Sequence, residues 1–294
     1  MTTASTTLPG GTWNLGDRTV TRFGYGAMQL AGPWVMGPPA DHDGAIAVLR
    51  EAVAQGVTHI DTSDYYGPFI VNEILREALH PYPADLRIVT KVGCRRGEDG
   101  SWNLDTSPDE LVREVHENLE RLDLEAIDVV NLRVSDDHSE SLAEAFGTLA
   151  ELREKGLIRH LGVSNVSPEQ LEEARGVAPV VCVQNHYNLV HRADDALVDH
   201  CAAEGIAYTS FFPLGGFSPL QSDTLARVAQ RLGRLAGFQD GDGLHAPDLS
   251  TRAYRRHTSA LPPGSPSAST TAAFAGSRQS LRQSSPTRVI RSSE

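Results

Sequence analysis

Short apolar runs alternate with longer amphipathic stretches over most of the chain. The apolar runs predict strands, which lie at 23–30, 57–62, 87–92, 126–133, 158–163, 180–185 and 206–213. The amphipathic stretches predict helices, which lie at 42–55, 70–79, 107–122, 139–155, 167–177, 194–204 and 221–232. Because strands that are apolar on both faces and alternate with helices are typical of a parallel sheet, the pattern predicts an α/β fold.

Local signals mark several of these boundaries. Ser107-Pro108-Asp109-Glu110 and Ser167-Pro168-Glu169-Gln170 each offer an N-cap, a proline at the first helical position and the acid or amide of a capping box. Gly56, Gly156 and Gly205 stand where a helix end favours a left-handed residue. These signals support the alternation of helices and strands.

The order of the elements narrows the fold class. A hairpin-like start over 12–15 and 19–22 precedes seven strand–helix units, and no GxGxxG turn occurs among them. The sequence therefore predicts a (β/α)8 barrel of TIM type with an N-terminal β-hairpin rather than a Rossmann sheet. The eighth strand–helix unit is missing or replaced.

The composition divides the chain into three segments. Residues 1–11 are predicted to be a flexible arm, 12–233 the barrel and 234–294 a divergent tail. Over 235–294 the chain has seven arginines, four acidic residues and long stretches of Ser, Pro, Gly and Ala. Such a composition buries too little apolar area to offset chain entropy, so we expect a disordered tail. The abrupt change motivates the hypothesis of a replaced, out-of-frame C-terminus.

Charge and cysteine content limit the partners. The formal net charge of −12 argues against a nucleic acid or an anionic membrane as partner. Cys94, Cys182 and Cys201 have no metal-ligand spacing and are odd in number, which fits a reducing compartment. The polar N-terminus lacks the core of a signal peptide, and no apolar run approaches the roughly 20 residues of a membrane span. We expect a cytoplasmic protein with a small-molecule substrate; the oligomeric state stays open.

Candidate chemistry follows two predicted strands. Lys91 closes the apolar run 87–92 and is one of only two lysines in the chain, whereas Asp61 and Tyr66 come at the end of the preceding strand. Because the carboxyl ends of barrel strands lie together, these residues are expected to meet. A lysine ammonium stabilises a neighbouring phenolate, and a carboxylate orients the lysine. The alternatives are a packed aromatic side chain for Tyr66 and a helix cap for Asp61.

The same residues belong to a longer series of landmarks. In chain order they are Asp61-Thr-Ser-Asp-Tyr-Tyr66-Gly67, Thr90-Lys91, Gly162-Val-Ser-Asn165, Gln184-Asn185 and Phe211-Phe-Pro213-Leu214. Over about 12–232 the series resembles the aldo-keto reductases, which are (β/α)8 barrels that use NADPH without a Rossmann domain. Within that family the stretches 24–32, 128–133, 183–188 with 191–195, and 211–217 resemble the bacterial pyridoxal reductases.

The resemblance implies the reduction of a small aromatic aldehyde or ketone by NADPH, with pyridoxal as the expected substrate. Tyr66 matches the family's general acid, and Lys91 and Asp61 match the residues that tune it. Arg133 stands where the family usually has a histidine, and it is expected to contact the substrate because arginine does not shuttle protons. A salt-bridged arginine at a strand end is the alternative. His138 is interpreted as a solvated loop residue and Cys94 as a small buried residue.

The resemblance also implies a cofactor site. Ser164, Asn165 and Gln184 match the residues that hold the nicotinamide carboxamide, and Phe211 matches the aromatic residue that stacks on the ring. The loop containing Pro213, Leu214 and Gly215 is expected to meet the pyrophosphate. Alternatively, Ser164 and Asn165 cap the next helix, and Phe211 is core. Candidates for an apolar substrate pocket are Phe211, Phe212, Trp34 and Tyr65.

Two other functional classes stay open. The segment that holds the adenosine 2′-phosphate in this family has no convincing counterpart, and Gly276-Ser-Arg278 is a weak candidate. The chain is therefore alternatively a catalytically impaired or cofactor-sensing barrel with a replaced C-terminus. A metal-dependent hydrolase has little support, because the eleven histidines show no HxH or HExxH spacing. No metal site is predicted.

Overall fold

The computed structural model describes Leu8, residues 10–215, Arg227 and Arg231. The predicted tail at 234–294 and most of the predicted arm lie outside the described residues. Of the helix predicted at 221–232, only Arg227 and Arg231 are described, and both are helical.

Seven parallel strands form one sheet in the order β3-β4-β5-β8-β9-β10-β11. They are β3 (Tyr25–Gly26), β4 (His59–Asp61), β5 (Arg87–Val92), β8 (Ile127–Arg133), β9 (Ile158–Ser164), β10 (Val180–His186) and β11 (Ala207–Phe211). Two antiparallel hairpins flank the sheet, namely β1 (Thr12–Leu15) with β2 (Arg18–Thr21) and β6 (Cys94–Arg96) with β7 (Trp102–Leu104). This is the predicted (β/α)8 architecture, with seven of its strands in the described part of the chain.

Helices follow the strands and cover the outer face of the sheet. They are α1 (His42–Ala54), α2 (Ile70–Leu79), α3 (Pro108–Leu122), α4 (Ala143–Glu154), α5 (Pro168–Val177) and α6 (Asp195–Ala203). Outward-facing strand residues such as Val130, Leu132 and Val163 are buried against them in one apolar core, which also contains Phe146. This packing fixes the strands, so their carboxyl ends present side chains at defined positions.

The first hairpin closes the amino-terminal end of the barrel. Leu15 and Val20 of this hairpin pack against inward-facing Val89, Val129 and Cys182. The inner layer above these residues is polar, because the same alternation that points apolar residues outward points Lys91, Asn131, Ser164 and Gln184 inward. The barrel therefore has an apolar base and a polar mouth.

The predicted strand at 23–30 is largely wrong. Only Tyr25–Gly26 pairs with β4, and the chain then forms two short 3₁₀ helices, Ala27–Leu30 and Pro33–Val35. Ala27 and Leu30 are both buried, and residues three apart lie on one side of a 3₁₀ turn. An apolar run can therefore bury its side chains here without continuing as a strand.

The predicted helix starts differ in outcome. Ser167 forms the full capping box, because it accepts a hydrogen bond from the backbone of Gln170 and the Gln170 side chain accepts one from the backbone of Ser167. Ser107 makes no such cap bond; its hydroxyl instead donates to Asp105, 2.7 Å away. Ser107 is the N-cap residue and Pro108 begins α3 as predicted, but the predicted capping box does not form because the nearer Asp105 carboxylate competes for the hydroxyl. The β6–β7 hairpin was not predicted.

Candidate active site

A buried ion pair joins the carboxyl ends of β4 and β5. The Lys91 ammonium lies 2.8 Å from both carboxylate oxygens of Asp61 and donates a third hydrogen bond to the Thr62 carbonyl at 3.0 Å. The Lys91 side chain is 5% exposed and that of Asp61 17%. The ammonium's three protons all have acceptors, which is the condition for a stable buried lysine.

Tyr66 lies against this ion pair. The Lys91 nitrogen is 5.1 Å from the centre of the Tyr66 ring, and the ring is buried. Burial, followed by the Asp61 carboxylate, holds the pKa of Tyr66 well above its usual value, and Arg133 acts in the opposite direction. The phenol therefore keeps its proton at neutral pH and is a potential proton donor. The structure brings Asp61, Tyr66 and Lys91 together as predicted.

A buried network of hydrogen bonds supports the loop that carries Tyr66. The Asn72 amide donates to Asp64 at 3.1 Å and to the Asn118 side chain at 3.0 Å, and it accepts from Thr62 at 2.8 Å. Thr90 also donates to Asn118, at 2.7 Å. The network links β4 and β5 to α2 and α3, and it holds the segment just before Tyr66.

Sequence reasoning missed this network. Its signal was an asparagine on an apolar helix stripe: Asn118 follows Leu111 and Val115 at helical spacing, and all three are buried. Asp64 belongs to the same cluster and is paired with Arg121. Burial raises the pKa of Asp64 to about 6, although Arg121 works against the shift.

Arg133 lies at the end of β8, facing the mouth. Its guanidinium is 3.3 Å from Asp136 and 5.2 Å from the centre of the Phe211 ring. The salt-bridged alternative is thus observed, and it is compatible with a contact to substrate because the Arg133 side chain is 24% exposed. His138 contacts the Gln170 side chain at 3.2 Å in the loop before α4.

Two predicted cofactor residues face each other across neighbouring strands. Ser164 and Gln184 are paired in the register of β9 and β10, and both are buried. The Ser164 hydroxyl and the side-chain amide oxygen of Gln184 have no hydrogen-bond partner within the described part of the chain. Ser167 caps α5, so Ser164 does not serve as the helix cap.

Asn165 has a left-handed backbone, with φ of 65°. Its side-chain amide donates to Asp136 at 2.5 Å and to the Val134 carbonyl at 3.3 Å, while its backbone N–H donates to the backbone carbonyl of Gln184 at 3.0 Å. Asn165 therefore borders the predicted cofactor site but directs its amide group at the loop after β8.

The segment after β11 forms a turn at the mouth. Phe211 stacks on His186, with ring centres 5.5 Å apart and planes inclined by 13°. Pro213 is exposed and Leu214 half-buried, and the Gly215 N–H donates to the Phe212 carbonyl at 3.1 Å. The Gly215 N–H is therefore engaged inside the turn.

A second residue missed by sequence reasoning is Asn131. It is fully buried beside Lys91 in the strand register, and neither amide atom has a partner among the described residues. A Cβ at Gly162 would lie 2.0 Å from its oxygen, so only glycine fits there. The sequence signal was an asparagine within an otherwise apolar strand.

Other reactive groups are poorly placed for chemistry. Burial raises the pKa of the Cys94 thiol to about 11, and Cys94 is 3% exposed, as a small buried residue should be.

Within the described ranges, no three His, Cys, Asp or Glu residues cluster as metal ligands. No helix of that same part is long and apolar enough to cross a membrane.

Comparison with known proteins defines the class. The model of the aldo/keto reductase family matches residues 22–231, so the chain belongs to this family. Pyridoxine 4-dehydrogenase of Escherichia coli is 59% identical over 227 residues, which cover 76% of this chain and 79% of the relative. An uncharacterized oxidoreductase of Schizosaccharomyces pombe, C215.11c, is 37% identical over 69% of this chain and 66% of its own length.

Solved structures agree with the family. Glycerol dehydrogenase AKR11B4 from Gluconobacter oxydans superimposes with a TM-score of 0.65 at 25% identity, over 78% of this chain and 81% of its own. The thermostable aldo-keto reductase Tm1743, solved with the inhibitor epalrestat, gives a TM-score of 0.63 at 29% identity, over 76% and 81% of the two chains.

Proposed function

We propose that this chain reduces a small aromatic aldehyde to the alcohol with NADPH, and that pyridoxal is the substrate. The observation that carries the proposal is the buried Asp61–Lys91 ion pair, with both oxygens at 2.8 Å, against the ring of Tyr66. The substrate is inferred from the 59% identity to a pyridoxine 4-dehydrogenase, since pyridoxine is the alcohol that corresponds to pyridoxal.

The polar mouth fits a nicotinamide cofactor. The unpartnered Ser164 hydroxyl and Gln184 oxygen are buried side by side, as a bound carboxamide requires, and Asn165 borders them. Phe211 would pack on the ring, and Pro213, Leu214 and Gly215 would line the path of the phosphates. When bound, NADPH supplies the hydride.

Tyr66 would donate the proton to the carbonyl oxygen of the substrate. Its raised pKa keeps it protonated until hydride addition places negative charge on that oxygen. The nearby Lys91 ammonium then stabilises the phenolate that forms, and Asp61 holds Lys91 in place. A proton from solvent restores the phenol after product release.

Arg133 would hold the substrate rather than move a proton. Its guanidinium carries only donors and can donate to a ring hydroxyl or to the carbonyl oxygen. The aromatic rings of Tyr65, Phe211 and Phe212 surround the same mouth, and they would exclude water from the carbonyl.

We assign this whole function to a barrel unit of residues 12–233, acting in the cytoplasm. Limited proteolysis of the full chain tests the unit, and early cleavage throughout 12–233 would contradict it.

The first test is NADPH oxidation, followed by absorbance when pyridoxal is added. Tyr66→Phe keeps the ring and removes the proton donor, so we expect turnover to fall by roughly 10²–10⁴-fold with cofactor affinity unchanged. Normal turnover by Tyr66→Phe would refute the assignment of the donor.

Fluorescence titration with NADPH distinguishes the proposed reductase from the alternative, a catalytically impaired or cofactor-sensing barrel. Tight NADPH binding without reduction of any aldehyde would favour a cofactor-sensing barrel. The absence of both binding and turnover would indicate that the chain does not assemble a working site. Reduction of pyridoxal would support the proposed enzyme.

A further inference from the structure

The β6–β7 hairpin follows β5 directly and contacts the loop that carries Tyr65 and Tyr66. The Trp102 ring of this hairpin lies 5.6 Å from the Tyr65 ring, with the planes inclined by 82°. Tyr65 in turn lies edge-on against Tyr66, at 5.2 Å and 89°. Trp102 is therefore two ring contacts away from the proposed proton donor, and it is 44% exposed.

Arg96 fixes the position of Trp102. The guanidinium lies over the Trp102 ring, 3.9 Å from its centre. The same group donates to the Val35 carbonyl at 3.0 Å, the Trp34 carbonyl at 3.2 Å and the Gly100 carbonyl at 2.8 Å. One arginine thus joins the hairpin to the turn at Pro33–Val35.

That turn has an unusual backbone. Trp34 and Val35 both have φ of 60°, a conformation that is uncommon for any residue with a Cβ and an outlier for a β-branched one. Such a conformation persists only where the surroundings fix it, and it is concentrated at sites that clamp ligands. The two carbonyl bonds to Arg96 are among the contacts that hold it here.

The turn is also bonded to the residue after Tyr66. The Gly67 N–H donates to the Val35 carbonyl at 3.2 Å, and the Gly37 N–H donates to the Gly67 carbonyl at 2.9 Å. The hairpin, the turn and the Tyr66 loop therefore form one hydrogen-bonded frame. A change at Arg96 is expected to move all three parts.

We propose that this frame is a binding wall for the ring of a planar aromatic aldehyde, with Trp102 as the residue that contacts the ring and Arg96 as a positioning residue. The inference rests on the proposed aldehyde reductase function. An aldehyde oxygen at the Tyr66 hydroxyl leaves the attached ring on the side where Tyr65 and then Trp102 follow Tyr66. Of these two rings Tyr65 is buried, and Trp102 is the half-exposed one. A tryptophan already held by an arginine loses little freedom on contact with a ligand.

The test compares two substrates in the full chain, pyridoxal and the aliphatic aldehyde propanal. Trp102→Ala should raise KM for pyridoxal about tenfold, as expected for the loss of one aromatic contact and its buried area, with kcat within about twofold. The kinetic constants for propanal should stay within about twofold of the wild type. Arg96→Met should change the same KM in the same direction, and Arg96→Lys should restore it only in part, because lysine cannot donate to several carbonyls in one plane.

Phe23→Ala is the matched control, because Phe23 is also a half-exposed aromatic residue but lies next to the closed end of the barrel. Phe23→Ala should change neither KM nor kcat for either aldehyde. Trp102→Phe keeps a smaller ring, so it should raise the KM for pyridoxal less than the alanine variant does, and it provides the comparison if the alanine variant does not fold. Equal losses for both aldehydes, or no loss for pyridoxal, would overturn the wall while leaving the reductase in place. If the wild type reduces neither aldehyde, the proposed function itself fails.

Discussion

The Asp61–Lys91 ion pair makes a sharp prediction about stability. Both partners are largely buried, and the ammonium contacts both carboxylate oxygens at 2.8 Å. Removing one partner of a buried pair leaves an uncompensated charge and costs about 3–5 kcal/mol. Replacing both partners by neutral residues of similar shape costs much less, because no charge then remains buried.

We therefore expect Lys91→Met to lower the free energy of unfolding by about 3–5 kcal/mol. At about 2–4 °C per kcal/mol for a chain of this size, its melting temperature should fall by roughly 6–20 °C. The loss of stability in Asp61→Asn should lie at the lower end of this range, since the amide oxygen still accepts a hydrogen bond from Lys91. The double variant should be more stable than Lys91→Met alone.

Urea unfolding of the four proteins measures the coupling energy between the two positions. We expect a coupling of at least about 2 kcal/mol, so that the double variant is more stable than the sum of single losses predicts. The other lysine provides a matched control, because Lys155 lies 4.0 Å from Glu151 on an exposed helix surface. The cycle of Lys155→Met and Glu151→Gln should show less than about 0.5 kcal/mol.

Additive losses at Asp61 and Lys91, within about 0.5 kcal/mol, would refute the reasoning. Such a result would mean that water screens the attraction between the two charges. Burial of Lys91 would then not make the ion pair contribute to the free energy of unfolding. Turnover should be low in all three variants whatever their stability, since each removes a group next to Tyr66. Stability and activity therefore report on separate parts of the argument.

Three further outcomes are expected. Gly162→Ala should destabilise the fold, because its methyl group would lie 2.0 Å from the Asn131 oxygen and 2.8 Å from the Cys182 carbonyl; a thermal melt equal to the wild type would contradict this. Asn118→Leu should cost about 1–3 kcal/mol in urea unfolding, because it leaves the buried donors of Asn72 and Thr90 without their acceptor. Burial raises the pKa of Glu114 from 4.5 to about 7, so the folded state holds a proton that the unfolded chain releases. Stability should therefore fall as pH rises from about 4.5 to 7, and Glu114→Gln should reduce this fall; unchanged pH dependence would contradict the assignment.

The sequence predicted the long strands well for a physical reason. The strands β5, β8, β9 and β10 are apolar on the face that meets the helices, and their ends agree with the prediction within one residue. The β6–β7 hairpin could not be predicted in the same way, because Trp102–Leu104 is exposed throughout and carries no burial pattern. Its only local signal was the turn over 97–100, which contains two glycines.

The sequence predicted which strand-end side chains of the candidate site lie together, but not which helix residues support them. Asp61, Tyr66 and Lys91 meet because the carboxyl ends of neighbouring parallel strands lie side by side, which the order of elements alone implies. The partners of Asn72 and Asn118 depend on which faces of α2 and α3 meet, and helix periodicity does not specify that pairing. Contacts between the faces of different helices therefore had to come from the structure.

The alternation of the barrel strands links stability to the proposed function. Outward residues such as Leu132 and Val163 bury apolar area, whereas inward Asn131, Ser164 and Gln184 bury polar atoms without partners in the described part of the chain. Each such atom costs about 1–3 kcal/mol, a cost that the outer packing must offset. A ligand that supplies hydrogen bonds to these atoms removes part of the cost. NADPH binding should therefore raise the melting temperature. Without a ligand, the polar mouth stays folded because burial of the apolar outer face offsets the cost of its unpartnered atoms.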